Sequence, residues 1–112
     1  MANAILEATI HSDGATARIE LRGDIDGSAR EALNGAYADA SGANAVTLDF
    51  TNVDYINSTG IALIVRLLAD ARRAHRSVRA RGLSAHYEEI FRITRLSDFM
   101  TLEHASIPTP SS

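Results

Sequence analysis

Apolar and polar residues alternate most cleanly between positions 15 and 22. Ala15, Ala17, Ile19 and Leu21 share one side, and Thr16, Arg18, Glu20 and Arg22 share the other. A period of two marks a half-buried strand. Residues 4–10 alternate more weakly and predict a strand before it. Asp13-Gly14 supplies the turn, so the two form an antiparallel hairpin. The run Gly23-Asp24-Ile25-Asp26-Gly27-Ser28 then breaks the second strand, and Asp26 or Ser28 is placed to cap a helix over about 27–41. Within it Ala29, Ala32, Leu33, Ala36, Tyr37 and Ala40 recur at helical spacing, and Ser41-Gly42 ends it.

Residues 45–50 predict a third strand with Val46, Leu48 and Phe50 on one face, and residues 51–57 a loop. Ser58 opens a long helix to about His75, as its N-cap, with Thr59 and Gly60 at the first two helical positions. At about 100° per residue, Ile61, Ile64, Val65, Leu68 and Ala71 form its core arc. Leu67 lies on the border, and Leu63 lies outside beside Asp70 and Ala74. Residues 77–81 form a strand crowded with arginine. Ser84 caps a further helix to about Leu96, with Tyr87, Ile90, Phe91 and Ile93 or Thr94 inward, and residues 99–103 form the last strand. The order β-β-α-β-α-β-α-β predicts an α/β fold. Its sheet is mixed but mostly parallel, of about five strands, with an antiparallel N-terminal hairpin and helices packed on it.

Composition adds mainly exclusions. At 112 residues, 46% hydrophobic and 22% charged, the chain has the core of one folded domain, placed at 1–105, and is not disordered throughout. Residues 106–112 hold both prolines and three serines and are expected to form a flexible tail. With no cysteine there is no disulfide, thiolate zinc site or cysteine nucleophile. The start lacks a secretory pattern, and the longest apolar run, around Ile61, is about six residues, far short of a span. A cytoplasmic protein without membrane insertion is expected.

Net charge is −3, and all 11 basic residues are arginine, which excludes Schiff-base or phosphate-cradling lysine chemistry. Arg72, Arg73, Arg76, Arg79 and Arg81 concentrate positive charge in the second half. No aromatic residue interleaves with them, so a solvated helix end is expected rather than direct nucleic-acid binding. The four histidines, at 11, 75, 86 and 104, show no pair at metal-binding spacing. Ser58 stands in Asn-Ser-Thr-Gly rather than a nucleophile elbow. No enzyme, catalytic residue, metal or cofactor is expected.

The informative stretch is 53–61, Val-Asp-Tyr-Ile-Asn-Ser-Thr-Gly-Ile, where a hydroxyl pair opens a helix. A helix start has free N–H donors and positive partial charge, so a phosphate on Ser58 would be favoured there. Gly60 leaves those amides open to close approach. A purely structural role for Ser58, as a cap, is the plain alternative.

Together with Gly-Asp-Ile-Asp at 23–26, this stretch resembles the STAS-domain family, the anti-sigma-factor antagonists of bacteria, whose order of elements matches from about residue 4 to 104. The resemblance implies a single STAS domain. It further implies that Ser58 is phosphorylated by a serine kinase that is also an anti-sigma factor, and that a serine phosphatase resets it. The unphosphorylated form then binds the kinase and frees a sigma factor. The expected partner surface is Asp24, Asp26, Asn57, Ser58, Thr59, Gly60 and Leu63, with a weak homodimer as the rival use of Leu63. The family commonly has aspartate before the serine, and Asn57 keeps that shape without the charge. The alternative is a non-switching STAS subunit of a lipid-transport or stress-signalling complex, in which Asn57 would be at ease. Some relatives bind nucleotides, and no loop of this sequence argues for that.

Overall fold

The computed structural model describes residues 5–40 and 42–103. Strand β1 (Glu7–Asp13) turns at Gly14 into β2 (Thr16–Ile25), and a 3-10 turn (Gly27–Ala29) leads into helix α1 (Arg30–Asp39). Then follow β3 (Ala45–Ile56), α2 (Ser58–Arg73), β4 (Ser77–Arg81), α3 (Ala85–Ile93), a 3-10 turn (Leu96–Asp98) and β5 (Thr101–Glu103). The strands lie in the order β1-β2-β3-β4-β5, with the first pair antiparallel and the others parallel. The expected α/β order and N-terminal hairpin are both present. Residues 104–112, including His104 and the expected tail, fall outside the described residues, as do Ala4 and Ser41.

Register gives the sheet two unlike faces. Ile10, Ile19, Leu48, Ala80 and Leu102 stand side by side across all five strands, and Ala17, Val46 and Val78 form the next row. Leu33 and Ala36 from α1, Ile64, Leu67, Leu68 and Ala71 from α2, and Phe91 from α3 join these rows in one core. Phe91 meets Phe50 edge-on, with ring centroids 5.8 Å apart. The alternate positions carry charge instead: Glu20, Asp49, Arg81 and Glu103 form one row across the sheet. Asp49 sits deepest in it. Its Oδ1 accepts from the Thr51 amide at 3.0 Å and the Thr51 hydroxyl at 2.6 Å, and Arg18 Nη1 lies 3.4 Å from Oδ2. Burial pushes its carboxyl up, but the two bonds from Thr51 and the charges of Arg81 and Arg18 outweigh it and hold the group below its ordinary value.

The middle of the chain departs from the sequence reading. Strand β2 does not break at Gly23 but runs to Ile25, and residues 51–56 are not a loop but the second half of β3. The register shifts between Glu20 and Arg22 and again between Gly23 and Asp24, each time with one extra residue on β3. Two bulges so close together destroy the period of two, and the strand then looks irregular in sequence. Helix α1 begins at Arg30, after the 3-10 turn, and ends at Asp39 rather than 41. Helix α3 stops at Ile93 rather than Leu96, because Arg95 takes a left-handed conformation with φ 68°. Ile93 points outward, 70% exposed, while Phe91 is buried and Tyr87 and Ile90 are half-buried. The last strand begins at Thr101 rather than 99.

Candidate functional site

The first turn of α2 meets the end of β2 and the 3-10 turn after it. The residue that caps α2 is Asn57, not Ser58. Its backbone is extended (φ −97°, ψ −178°), and its side-chain Oδ1 accepts from the Gly60 amide at 2.8 Å. Its own amide donates to the Ile25 carbonyl at 3.2 Å, and its carbonyl accepts from Ile61 at 2.9 Å. Asparagine and serine are both good caps, so Asn-Ser-Thr-Gly offered two registers, and the helix starts one residue later than the serine reading requires.

Ser58 is therefore the first helical residue. It is exposed, and its hydroxyl makes no hydrogen bond to any described residue. Thr59 beside it is exposed as well. The amides of Ser58 and Thr59 have no acceptor among the described residues, while that of Gly60 is taken by Asn57. An exposed nucleophilic oxygen thus sits at the positive end of a sixteen-residue helix, beside two open N–H donors.

Gly60 has a different role from the one expected. It is buried, and a Cβ there would overlap the Ile25 carbonyl oxygen and lie 2.7 Å from its carbon. The group that needs its bare backbone is β2, not a ligand. This contact also sets the rotation of α2. The buried residues are Gly60, Ile64, Leu67, Leu68 and Ala71, an arc turned about 50° from the one read from sequence. Leu67 moves from the border into the core, and Val65 moves out to 47% exposure. Leu63, expected to stand out as a patch, is half-buried against the core.

The acidic turn lies against this helix start. Of the two candidate caps, Asp26 is the one used, and it caps the 3-10 turn rather than α1: its Oδ1 accepts from the Ser28 amide at 2.9 Å and the Ser28 hydroxyl at 2.6 Å. A Cβ on Gly27 would lie 3.6 Å from Thr59 Cγ2, so the turn and the α2 start are in contact distance. Asp24 is only 9% exposed, and no described residue bonds its carboxylate. Its ladder partner is Tyr55, which is 50% exposed. Tyr55 is the residue the sequence reading missed, because it fell in the stretch taken for a loop. A half-exposed aromatic beside a potential modification site is a common interface anchor. From behind, α3 braces the segment: the Ile56 amide donates to the Tyr87 hydroxyl at 2.9 Å.

Among the described residues no group of three or more His, Asp or Glu is placed to hold a metal ion, and no helix is long and apolar enough to cross a membrane. The arrangement presents a hydroxyl and a shaped, acidic surface.

The family model described as Mlab, STAS domain, matches residues 8–103. No curated protein matches the sequence. Among solved structures, the chain is similar to the Bacillus cell fate determinant SpoIIAA in its phosphorylated form, with 16% identity and a TM-score of 0.67 over 86% of this chain and 90% of that one. It is also similar to an anti-sigma factor antagonist from Mycobacterium paratuberculosis, with 18% identity and a TM-score of 0.69 over 91% of this chain and 87% of that one. At these identities the likeness is one of fold.

Proposed function

We propose that this chain, which belongs to the STAS domain family, works as an anti-sigma factor antagonist switched by phosphorylation at Ser58. The unmodified form binds an anti-sigma factor that is also a serine kinase, and a sigma factor is released. The observation that carries this reading is the Ser58 hydroxyl: it is exposed at a helix start and does no capping, because Asn57 caps in its place.

The chemistry follows from that placement. The Ser58 oxygen attacks the γ-phosphorus of ATP held by the kinase, ADP departs, and the serine proton goes to a base on the kinase. Asn57 is neutral and its Oδ1 is occupied by Gly60, so this chain supplies no base at that position. The phosphate gains from the helix end and the amides of Ser58 and Thr59. It also adds about −1.5 to −2 charge next to a turn that already carries Asp24 and Asp26. A partner surface matched to the neutral serine is then repelled, and a phosphatase restores binding by hydrolysis.

The proposed contact surface is Asp26, Asn57, Ser58 and Thr59, with Tyr55 added, and Asp24, only 9% exposed, lies beneath it as a fixed charge. Gly60 serves it from beneath by seating the helix on Ile25, and Leu63 offers only its outer edge. A second reading is favoured by the matched family description and by Asn57: a STAS subunit that binds its partner permanently, in a transport or signalling complex, with Ser58 unmodified.

Affinity capture with wild-type, Ser58→Ala and Ser58→Glu baits separates the two. The switch predicts a serine-kinase anti-sigma factor held by wild type and Ser58→Ala and lost by Ser58→Glu. It also predicts that this kinase phosphorylates wild type and not Ser58→Ala. A transporter or scaffold protein held equally by all three baits would establish the permanent subunit instead.

A further inference from the structure

Toward its last turns, α2 borders a cavity that the Ser58 site does not use. It measures about 440 Å³ and opens between α2, the end of α3 and the 3-10 turn Leu96–Asp98. That is the size of a site for one small molecule. Leu68 and Leu96 are buried in its lining, and Val65 and Phe99 line it while remaining 47% and 48% exposed.

Three polar side chains line the cavity, and none is acidic. The Thr94 hydroxyl donates to the Ile90 carbonyl at 2.7 Å, and Arg73 donates to Asp70 at 2.6 Å. The Arg72 side chain has no acceptor among the described residues. Its guanidinium lies over the Phe99 ring, 5.3 Å from the centre. That contact holds the cation at the cavity and leaves its N–H fork open to an anion.

The lining is polarised along its length. Val65 marks one end, and Arg72, seven residues along α2 and about 10 Å away, marks the other. The adjoining hollow of about 240 Å³ shares Leu68, Arg72 and Phe99 but brings in Arg76 and Asp98 and is mainly polar, so the apolar space ends at Arg72. This arrangement does not suit a docked helix. A helix is about 10–12 Å across, and a 10 Å length of it fills roughly twice this cavity or more. An amphipathic helix also divides polar from apolar around its axis, not along it. A molecule with an apolar chain and a single anionic head has the lengthwise polarity of the cavity, and its one charge matches the one guanidinium left without an acceptor.

We infer that this cavity binds a small single-chain amphiphile with one anionic head, its chain against Leu68 and Leu96 and its head on Arg72. The site is separate from the Ser58 surface: Arg72 lies fourteen residues along α2 from Ser58, about 21 Å away.

The test is an NMR titration of the full chain with decanoate below the concentration at which it forms micelles, with decanol and acetate in parallel. It is run on wild type, Arg72→Gln and Val65→Glu, with circular dichroism confirming that each is folded. Arg72 and Val65 are both exposed, so either variant remains informative if the other fails to fold. Decanoate is expected to shift the signals of Val65, Leu96 and Phe99 saturably, and acetate to leave them unmoved. Decanol binds about tenfold more weakly than decanoate. Arg72→Gln weakens decanoate about tenfold and leaves decanol unchanged, a contrast that a mere packing role for Arg72 would not produce. Val65→Glu weakens both. The inference is overturned if decanoate gives no saturable shift, if decanol binds as tightly as decanoate, or if both variants bind decanoate as well as wild type. It is equally overturned if an acidic amphipathic peptide or anionic vesicles move these signals and decanoate does not.

Discussion

At its first turn α2 is pressed onto β2. The Ile25 carbonyl occupies the space where Gly60 would carry a Cβ, the Asn57 amide returns to that same carbonyl, and the Asn57 side chain closes the helix end. At its last turn Ala71 is still in the core, but the helix end itself is closed by its own backbone. The His75 amide donates to Arg72 at 3.1 Å and the Arg76 amide to Ala71 at 2.9 Å, a terminal motif completed by His75 at φ 58°. One end is fixed by tertiary contact and admits few residues; the other is closed locally and tolerates a residue poorly suited to its conformation. The fixed end carries the candidate switch, where position has to be accurate. The locally closed end instead carries a run of arginines, Arg72, Arg73 and Arg76.

The sharpest way to break this contrast is Gly60→Ala. The new methyl overlaps backbone, which cannot swing aside as a side chain can, so a loss of at least about 3 kcal/mol is expected in urea unfolding. A loss under about 1 kcal/mol would mean that α2 slides freely and that its start is not fixed by β2. Next comes Asn57→Ala, which should cost about 1 kcal/mol through loss of the cap. Asn57→Asp should cost nothing measurable, since a carboxylate accepts the same bond and suits the helix end. At the other terminus His75→Gly should stabilise by about 0.5 kcal/mol, because glycine adopts the left-handed conformation without the crowding of a Cβ. The smallest effect belongs to Ser58→Ala, expected within about 0.5 kcal/mol of wild type. A larger loss there would return the capping role to serine and remove the main support for the switch.

How much of this was legible in the sequence depends on the kind of signal. The hairpin, the core row through Ile19 and Leu48, and the strand at 77–81 were legible because alternation and turn residues are local. So was the Ser84 cap, which accepts a bond from an amide within its own turn, while Asp26 was legible only as one of two candidates. The second half of β3 was not legible, because two bulges erase its period, and Tyr55 was hidden with it. The rotation of α2 was not legible either. Counting apolar residues cannot tell that Gly60 must face Ile25, a contact set by residues thirty-five positions apart. The exposed pair Val65 and Phe99 was hidden too: Val65 looked like core until the helix turned, and Phe99 was read as part of a strand.

The separation of Asn57 from Ser58 has a consequence for how such a protein can change over generations. Had Ser58 closed the helix, every exchange at that position would have risked the fold, and stability would have constrained the regulatory chemistry. With the cap one residue earlier, position 58 is expected to be nearly neutral to folding. On the proposed function, threonine, alanine or aspartate there would give a slower switch, a permanently active form or a permanently silent one from the same scaffold. Signalling behaviour of the proposed kind would then drift and be selected at a single codon, without compensating substitutions elsewhere in the domain.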